Sequence, residues 1–199
     1  MKILAFSDLH LARRAAEGLV QASADADLVI GAGDFCNMRR GLDQAMELLS
    51  GIAAPMLLVP GNAESAEELR AAAGPGATVL HGEGLEIGGL RIFGLGGGIP
   101  PTPFGDWSFD LTEAAAEAML ARCDAADILI THSPPKGVAD RTSAGMSVGS
   151  PAIHAAIARV QPRLALCGHI HDCWGGHGAI GTTEVVNLGP AGTWFEVAP

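Results

Sequence analysis

Lysine is almost missing from this 199-residue chain: Lys2 and Lys136 are the only two, and arginine supplies the other basic side chains. With 12 Lys and Arg against 22 Asp and Glu, the formal net charge is −10. Such a surface does not track extended nucleic acid, because that binding runs on Lys and Arg contacts to phosphates. Charged residues of either sign are only 17% of the chain while apolar ones are 48%, which excludes a disordered chain and leaves ample sequence for a core. Long apolar runs are also lacking. Nothing approaches the roughly 18 continuous apolar residues of a membrane span. The opening MKILAFSDLH meets a carboxylate at Asp8, too early for a signal peptide. Paired cysteines are missing as well. Cys36, Cys123, Cys167 and Cys173 have no CxxC spacing, so neither a zinc knuckle nor a redox pair is implied. Buried, reduced thiols in a cytoplasmic protein are expected instead. With no linker, low-complexity run or internal repeat, residues 1–199 read as one domain.

What is present alternates apolar strands with helical stretches. Strands are expected at 2–6, 27–33 and 55–61, and helices at 14–23, 41–50 and 66–73. The third helix opens on a capping box, Ser65 with Glu68 three residues later. Leu85 and Ile87, then Leu90 and Ile92, flank Gly88-Gly89 and predict a β-hairpin. A helix (112–121), a strand (127–131), a helix from Ser150-Pro151 to near Pro162 and a strand from 164 follow, then two short strands in TEVVNLG and TWFEV. Strand–helix alternation of this kind builds a mainly parallel sheet flanked by helices, a mixed α/β architecture.

Polar residues recur at the carboxyl ends of these strands, where open α/β sheets place their sites. The first strand ends in Ser7-Asp8-Leu9-His10, the second in Gly33-Asp34 and the third in Gly61-Asn62. Later strands end in Thr131-His132 and Gly168-His169-Ile170-His171. Each piece alone is common, and a Gly-Asp can simply cap a turn. Five strands ending in metal-competent side chains are not. Nitrogen and oxygen donors without thiolate suit Mn, Fe, Zn, Co or Ni better than calcium. Seven donors exceed one tetrahedral site but suit two octahedral ions sharing a carboxylate.

This ordered set, D-x-H, G-D, G-N-x-E, T-H and G-H-I-H, resembles the calcineurin-like metallophosphoesterases over Asp8 to His171, and VVNLGP resembles the following segment of small prokaryotic members. The resemblance implies a four-layer α/β/β/α sandwich of two mixed sheets with helices outside. It implies that Asp8, His10 and His171 hold one divalent ion, that Asn62, His132 and His169 hold the other, and that Asp34 bridges them, with manganese favoured. Asp34, Asn62 and His132 would be the catalytic core, and a hydroxide bridging the ions would attack a phosphodiester or small nucleotide-like phosphate ester.

One position departs from the family. Its third block usually carries a histidine after the asparagine, thought to protonate the leaving group, and here that residue is Ala63. Loss of general-acid help, typically worth about 10²–10⁴-fold, hurts poor leaving groups most. Three readings stay open: His177 or Glu64 (through a water) takes over, the natural ester has a good leaving group, or the enzyme is slow. A scaffold protein that keeps the fold without turnover is the alternative function. Substrate contacts are expected from Arg39, Arg40 and Lys136, and from Phe104 or Trp107 in the Gly- and Pro-rich stretch 94–107. For the arginines the competing reading is two solvated charges, and for the aromatics a hydrophobic plug on the core. Ser7 and Ser133 read as supporting or loop residues, since no base stands by to make either a nucleophile.

Overall fold

The computed structural model describes residues 1–198 and contains two β-sheets packed face to face between two layers of helices. The first sheet is built from β1 (Lys2–Phe6), β2 (Leu28–Gly31), β3 (Met56–Leu58), β4 (Ala77–Val79) and β11 (Thr193–Glu196), in the order β11-β1-β2-β3-β4. Its first four strands run parallel, and β11 pairs antiparallel with β1. The second holds β5 (Glu83–Ile87), β6 (Leu90–Leu95), β7 (Ile128–Thr131), β8 (Leu164–Cys167), β9 (His177–Ile180) and β10 (Thr183–Asn187), in the order β5-β6-β7-β8-β10-β9. Its central strands β6, β7, β8 and β10 are parallel, with antiparallel β5 and β9 at the edges.

Alternation along each strand explains the layers. In β1, Ile3 and Ala5 face the second sheet, meeting Leu90, Ile92, Ile128, Ile130, Leu164 and Leu166 in a shared core. Leu4 and Phe6 point the other way, toward Ala16 and Leu19 of α1 (Arg13–Ala22), Ala45 and Leu49 of α2 (Leu42–Leu49) and Leu69 of α3 (Ala66–Ala72). On the far side, Phe93, Leu129 and Ala165 pack against Leu120 of α4 (Glu113–Leu120) and Ile153 and Ile157 of α5 (Pro151–Val160). Strands covered on both faces read as continuous apolar runs, which is why KILAF and LVIG lack the alternation of a half-exposed strand.

Local expectations hold where the chemistry is local. Ser65 and Glu68 form the capping box reciprocally, with Ser65 N–H donating to Glu68 Oε2 at 2.8 Å and Glu68 N–H to Ser65 Oγ at 3.3 Å. Ser150 caps α5, and Pro151 occupies its first turn. Gly88 and Gly89 both adopt positive φ in the two-residue turn between β5 and β6, as a mirror-image hairpin turn requires. Two strands were not expected, β4 and β9. The thiols need one correction: all four are free, and Cys36, Cys123 and Cys167 are buried, but Cys173 is half-exposed in the loop after His171. Among the described residues no helix is long and apolar enough to cross a membrane.

Candidate metal centre

Parallel strands put their carboxyl ends on one edge, and the backbone stitches the loops there together. Asp8 N–H donates to Gly33 O (2.9 Å) and His10 N–H to Asp34 O (3.0 Å), joining the loops after β1 and β2. Gly168 N–H donates to His132 O (2.9 Å), joining those after β8 and β7. Two glycines are needed for space. A Cβ at Gly61 would stand 2.0 Å from Asp34 Oδ1, and one at Gly168 would stand 2.6 Å from Asp8 Oδ2.

Two donor groups result: Asp8 with His10 and His171, and Asp34 with His132 and His169, the donor atoms in each lying within 4.8 Å of one another. Asn62 joins the second group, its Oδ1 3.2 Å from His132 Nε2. Asp34 lies between them. Its Oδ2 is 3.5 Å from His10 Nε2, and its Oδ1 is 3.4 Å from His132 Nε2. All seven residues named from sequence are therefore brought together.

The donor set can be tested for fit to a cation. His10 Nδ1 faces Cys36 O at 3.0 Å, and His132 Nδ1 faces Ala32 O at 2.8 Å, so in each neutral ring Nδ1 is the donor and Nε2 keeps its lone pair. The Nε2 atoms lie beside further atoms able to ligate a metal: His10 Nε2 is 3.2 Å from His171 Nε2, and His132 Nε2 is 3.2 Å from Asn62 Oδ1. Asn62 Oδ1 faces inward because its Nδ2 donates outward to Ser108 Oγ at 3.1 Å. In the absence of a cation the two buried carboxylates draw protons onto His132 and His171, and a divalent ion would take the place of those protons. The residues fit divalent metal, with tautomers fixed by carbonyls on the far side.

Backbone strain points the same way. Asp8 (φ 52°), His10 (45°), Asp34 (57°) and His169 (69°) all adopt left-handed conformations that non-glycine residues rarely visit. The electrostatics are strongly coupled. Burial pushes both aspartates up, but for Asp34 the adjoining His132 outweighs it, and for Asp8 the nearby His171 and His132 do, so both carboxyls lie below the usual range. His132 is raised to about 9, where Asp34 overcomes the effect of burial. His169, buried beside the His132 charge, drops to about 4.

Ser7 supports Asp8 as expected, joined by residues that no local sequence pattern reveals. Asp8 Oδ2 accepts from Ser7 Oγ (2.6 Å) and from Trp174 Nε1 (3.0 Å), which leaves Oδ1 toward His171. Ser108 Oγ, which holds Asn62, donates to Asp110 Oδ1 at 2.8 Å, and Thr102 Oγ1 donates to Asp110 Oδ2 at 2.9 Å. All three lie in the loop between β6 and α4, which docks on the β3 loop through Phe109 N–H to Asn62 O (2.9 Å).

Two suggested stand-ins for the missing acid are corrected. Glu64 is fully buried and accepts N–H bonds from Gly61 (2.7 Å), Asp34 (2.8 Å), Phe35 (3.2 Å) and Cys36 (3.4 Å). It braces the β2 and β3 loops; burial and the Asp34 charge push it up to about 7, but none of its surface reaches solvent. His177 lies on edge strand β9 with its ring toward Glu184 at 3.4 Å, in neither donor group. The expected substrate contacts also separate. Arg39 pairs with Glu68 at 2.9 Å, and Lys136 Nζ donates to Ser147 O within its own loop. Arg40 has no ion-pair partner among the described residues. Phe104 is 51% exposed and stacked on Trp107, with ring centroids 5.7 Å apart at 3°, and neither ring belongs to a core cluster. The plug reading is therefore set aside. Ser133 is a loop residue, taking Ile99 N–H at 2.8 Å.

Fold and donor set together define the class, a sandwich whose strand-end loops suit a metal-dependent hydrolase. The chain belongs to the calcineurin-like phosphoesterase superfamily, a family of metal-dependent phosphoester hydrolases, whose domain profile matches residues 1–199. It is 38% identical over 113 residues to human metallophosphoesterase domain-containing protein 1, across 54% of this chain and 33% of that protein. The chain thus spans about a third of the length of that relative. Among solved structures it resembles TT1561 of Thermus thermophilus (TM-score 0.75, 21% identity, 96% of this chain and 90% of that one). It also resembles a dimetal phosphatase from Danio rerio (TM-score 0.64, 14% identity, 96% and 88%). At such identities the likeness concerns the fold.

Proposed function

We propose that this chain is a binuclear metal-dependent phosphoesterase acting on a phosphodiester or a small nucleotide-like phosphate ester. The observation that carries this is Asp34, whose two oxygens face the two donor groups at 3.5 and 3.4 Å. In this reading Asp8, His10 and His171 hold one divalent ion, Asn62, His132 and His169 the other, and Asp34 both, with manganese favoured for this N/O set. Bound ions would supply Lewis acidity and an activated water for in-line attack. The chain's own part is positioning: the carbonyls of Cys36 and Ala32 orient His10 and His132, Ser108 orients Asn62, and Arg40 is the cation for the substrate anion. Ala63 is 2% exposed and cannot donate a proton, so leaving groups that need none are favoured. Four free thiols support a cytoplasmic setting. The zebrafish relative named a dimetal phosphatase supports the two-ion reading.

The test is hydrolysis of bis(p-nitrophenyl) phosphate by metal-stripped protein with and without Mn²⁺, beside Asp34→Asn. Turnover that requires metal and falls by at least about 10²-fold in the variant is expected. A folded, Mn²⁺-binding protein without turnover would instead favour a non-catalytic binding protein of this fold, the second reading that Ala63 supports.

A further inference from the structure

Beside the first donor group lies a pocket of about 650 Å³ with apolar walls from Leu11, Met38 and Trp107 and polar groups from Asn37, Arg40 and Gln44. Both ends are tied to the metal centre. Leu11 follows His10, whose carbonyl accepts from Asn37 Nδ2 at 3.2 Å; Trp107 precedes Ser108, which holds Asn62. Its walls are costly to build. Leu11 (φ 62°) and Met38 (φ 46°) both adopt left-handed backbone, and Met38 keeps 56% of its surface in water. Strain and exposed apolar surface at one place mark a functional surface more often than a packing need.

We propose that this pocket receives a planar aromatic group carried by the phosphoester, a proposal that rests on the phosphoesterase reading above. Trp107 lines the pocket while its indole stacks on Phe104, and Met38 adds a polarisable thioether, both of which favour an aromatic ring over an aliphatic chain. Arg40 supplies the positive charge that suits the adjoining phosphate. The amides of Asn37 and Gln44 can meet heteroatoms on the ring edge. The volume lies within the range of small-molecule sites and holds one ring system.

Calorimetric titration of Mn²⁺-loaded protein with phenylphosphonate and methylphosphonate tests this without turnover. Phenylphosphonate should bind at least about fivefold more tightly, and that ratio should fall toward one in both Trp107→Ala and Met38→Ala. Neither residue belongs to a core cluster, so both variants should fold. Equal affinities in the unmodified protein, a preference retained in both variants, or no binding of either phosphonate would each overturn the proposal. The parallel bis(p-nitrophenyl) phosphate assay separates the two ideas. Aryl preference without turnover contradicts the hydrolase alone, and turnover without aryl preference contradicts the pocket alone.

Discussion

Ala63 sits buried with no side-chain proton to give, its N–H on Asp34 Oδ1 (2.7 Å) and its carbonyl taking the Arg39 N–H (2.9 Å). Rates should therefore depend steeply on leaving-group acidity. Replacing p-nitrophenyl by phenyl in a diester series should slow hydrolysis far more than general-acid assistance would allow, and a shallow dependence would reveal a donor unaccounted for. Ser108 invites a second experiment. Its Oγ fixes the Asn62 amide, so Ser108→Ala should weaken binding at the second donor group by about 10–100-fold in a chelator competition, with Ser108→Thr largely restoring it. The seven residues gathered at this edge could be picked out in the sequence because each follows a strand and each type is metal-competent. Ser108, Thr102 and Asp110 could not, since nothing local links Asn62 to a serine 46 residues away. Trp174 was equally hidden, because its indole reaches back across 166 residues to Asp8.

Elements rather than single residues decide how firmly the site's walls stand. The loop from β7 to α5 is gathered on one oxygen, Asp140 Oδ2, which takes Gly137 N–H and Gly149 N–H, both at 2.9 Å, and the Ser147 hydroxyl. Burial would raise this carboxyl, but the bonds from Ser147, Gly137 and Gly149 outweigh it and hold it low. A carboxylate lower in the folded than in the unfolded chain stabilises fully above its unfolded value of about 3.9 and loses that contribution as pH falls through the folded value. Melting temperature should therefore drop more steeply between about pH 5 and 3 in the unmodified protein than in Asp140→Asn; parallel curves would show that Asp140 carries no such role. Strand identity followed from composition for β1, β2, β3, β7 and β8, whose apolar runs fit nothing else. It failed for β4, which directly follows Gly74-Pro75-Gly76, and for β9, whose glycine-containing sequence has no periodicity to read. Both are edge strands, formed because a neighbour offers a ladder rather than because their own residues demand it.

Across the whole protein, a hydrophobic layer between the two sheets is flanked by two more beneath the helices, and the buried charges gather at one rim. Ile130, fully buried between the sheets, should cost about 2–5 kcal/mol when cut to alanine, measured by denaturant unfolding. Sequence could not give the order of strands, because β11 joins β1 from the far end of the chain and β9 folds back outside β10. The rim buries the like charges of Asp8 and Asp34 close together, with His10, His132, His169 and His171 gathered around them. Metal should therefore stabilise the entire fold. At a hundredfold excess over Kd, one ion contributes about 2.7 kcal/mol, or roughly 5–10 °C in Tm for a chain of this size. Mn²⁺ should produce a rise of that order, chelator should remove it, and Asp34→Asn should blunt it; an unchanged Tm would mean that the donors do not act as a cation site.

Anomalous diffraction from Mn²⁺-soaked crystals would show whether Asp34 joins two ions. Two peaks about 3.5–4 Å apart are predicted, one against Asp8, His10 and His171, the other against Asn62, His132 and His169, with an Asp34 oxygen to each. A single peak, or two that do not share Asp34, would contradict the binuclear account.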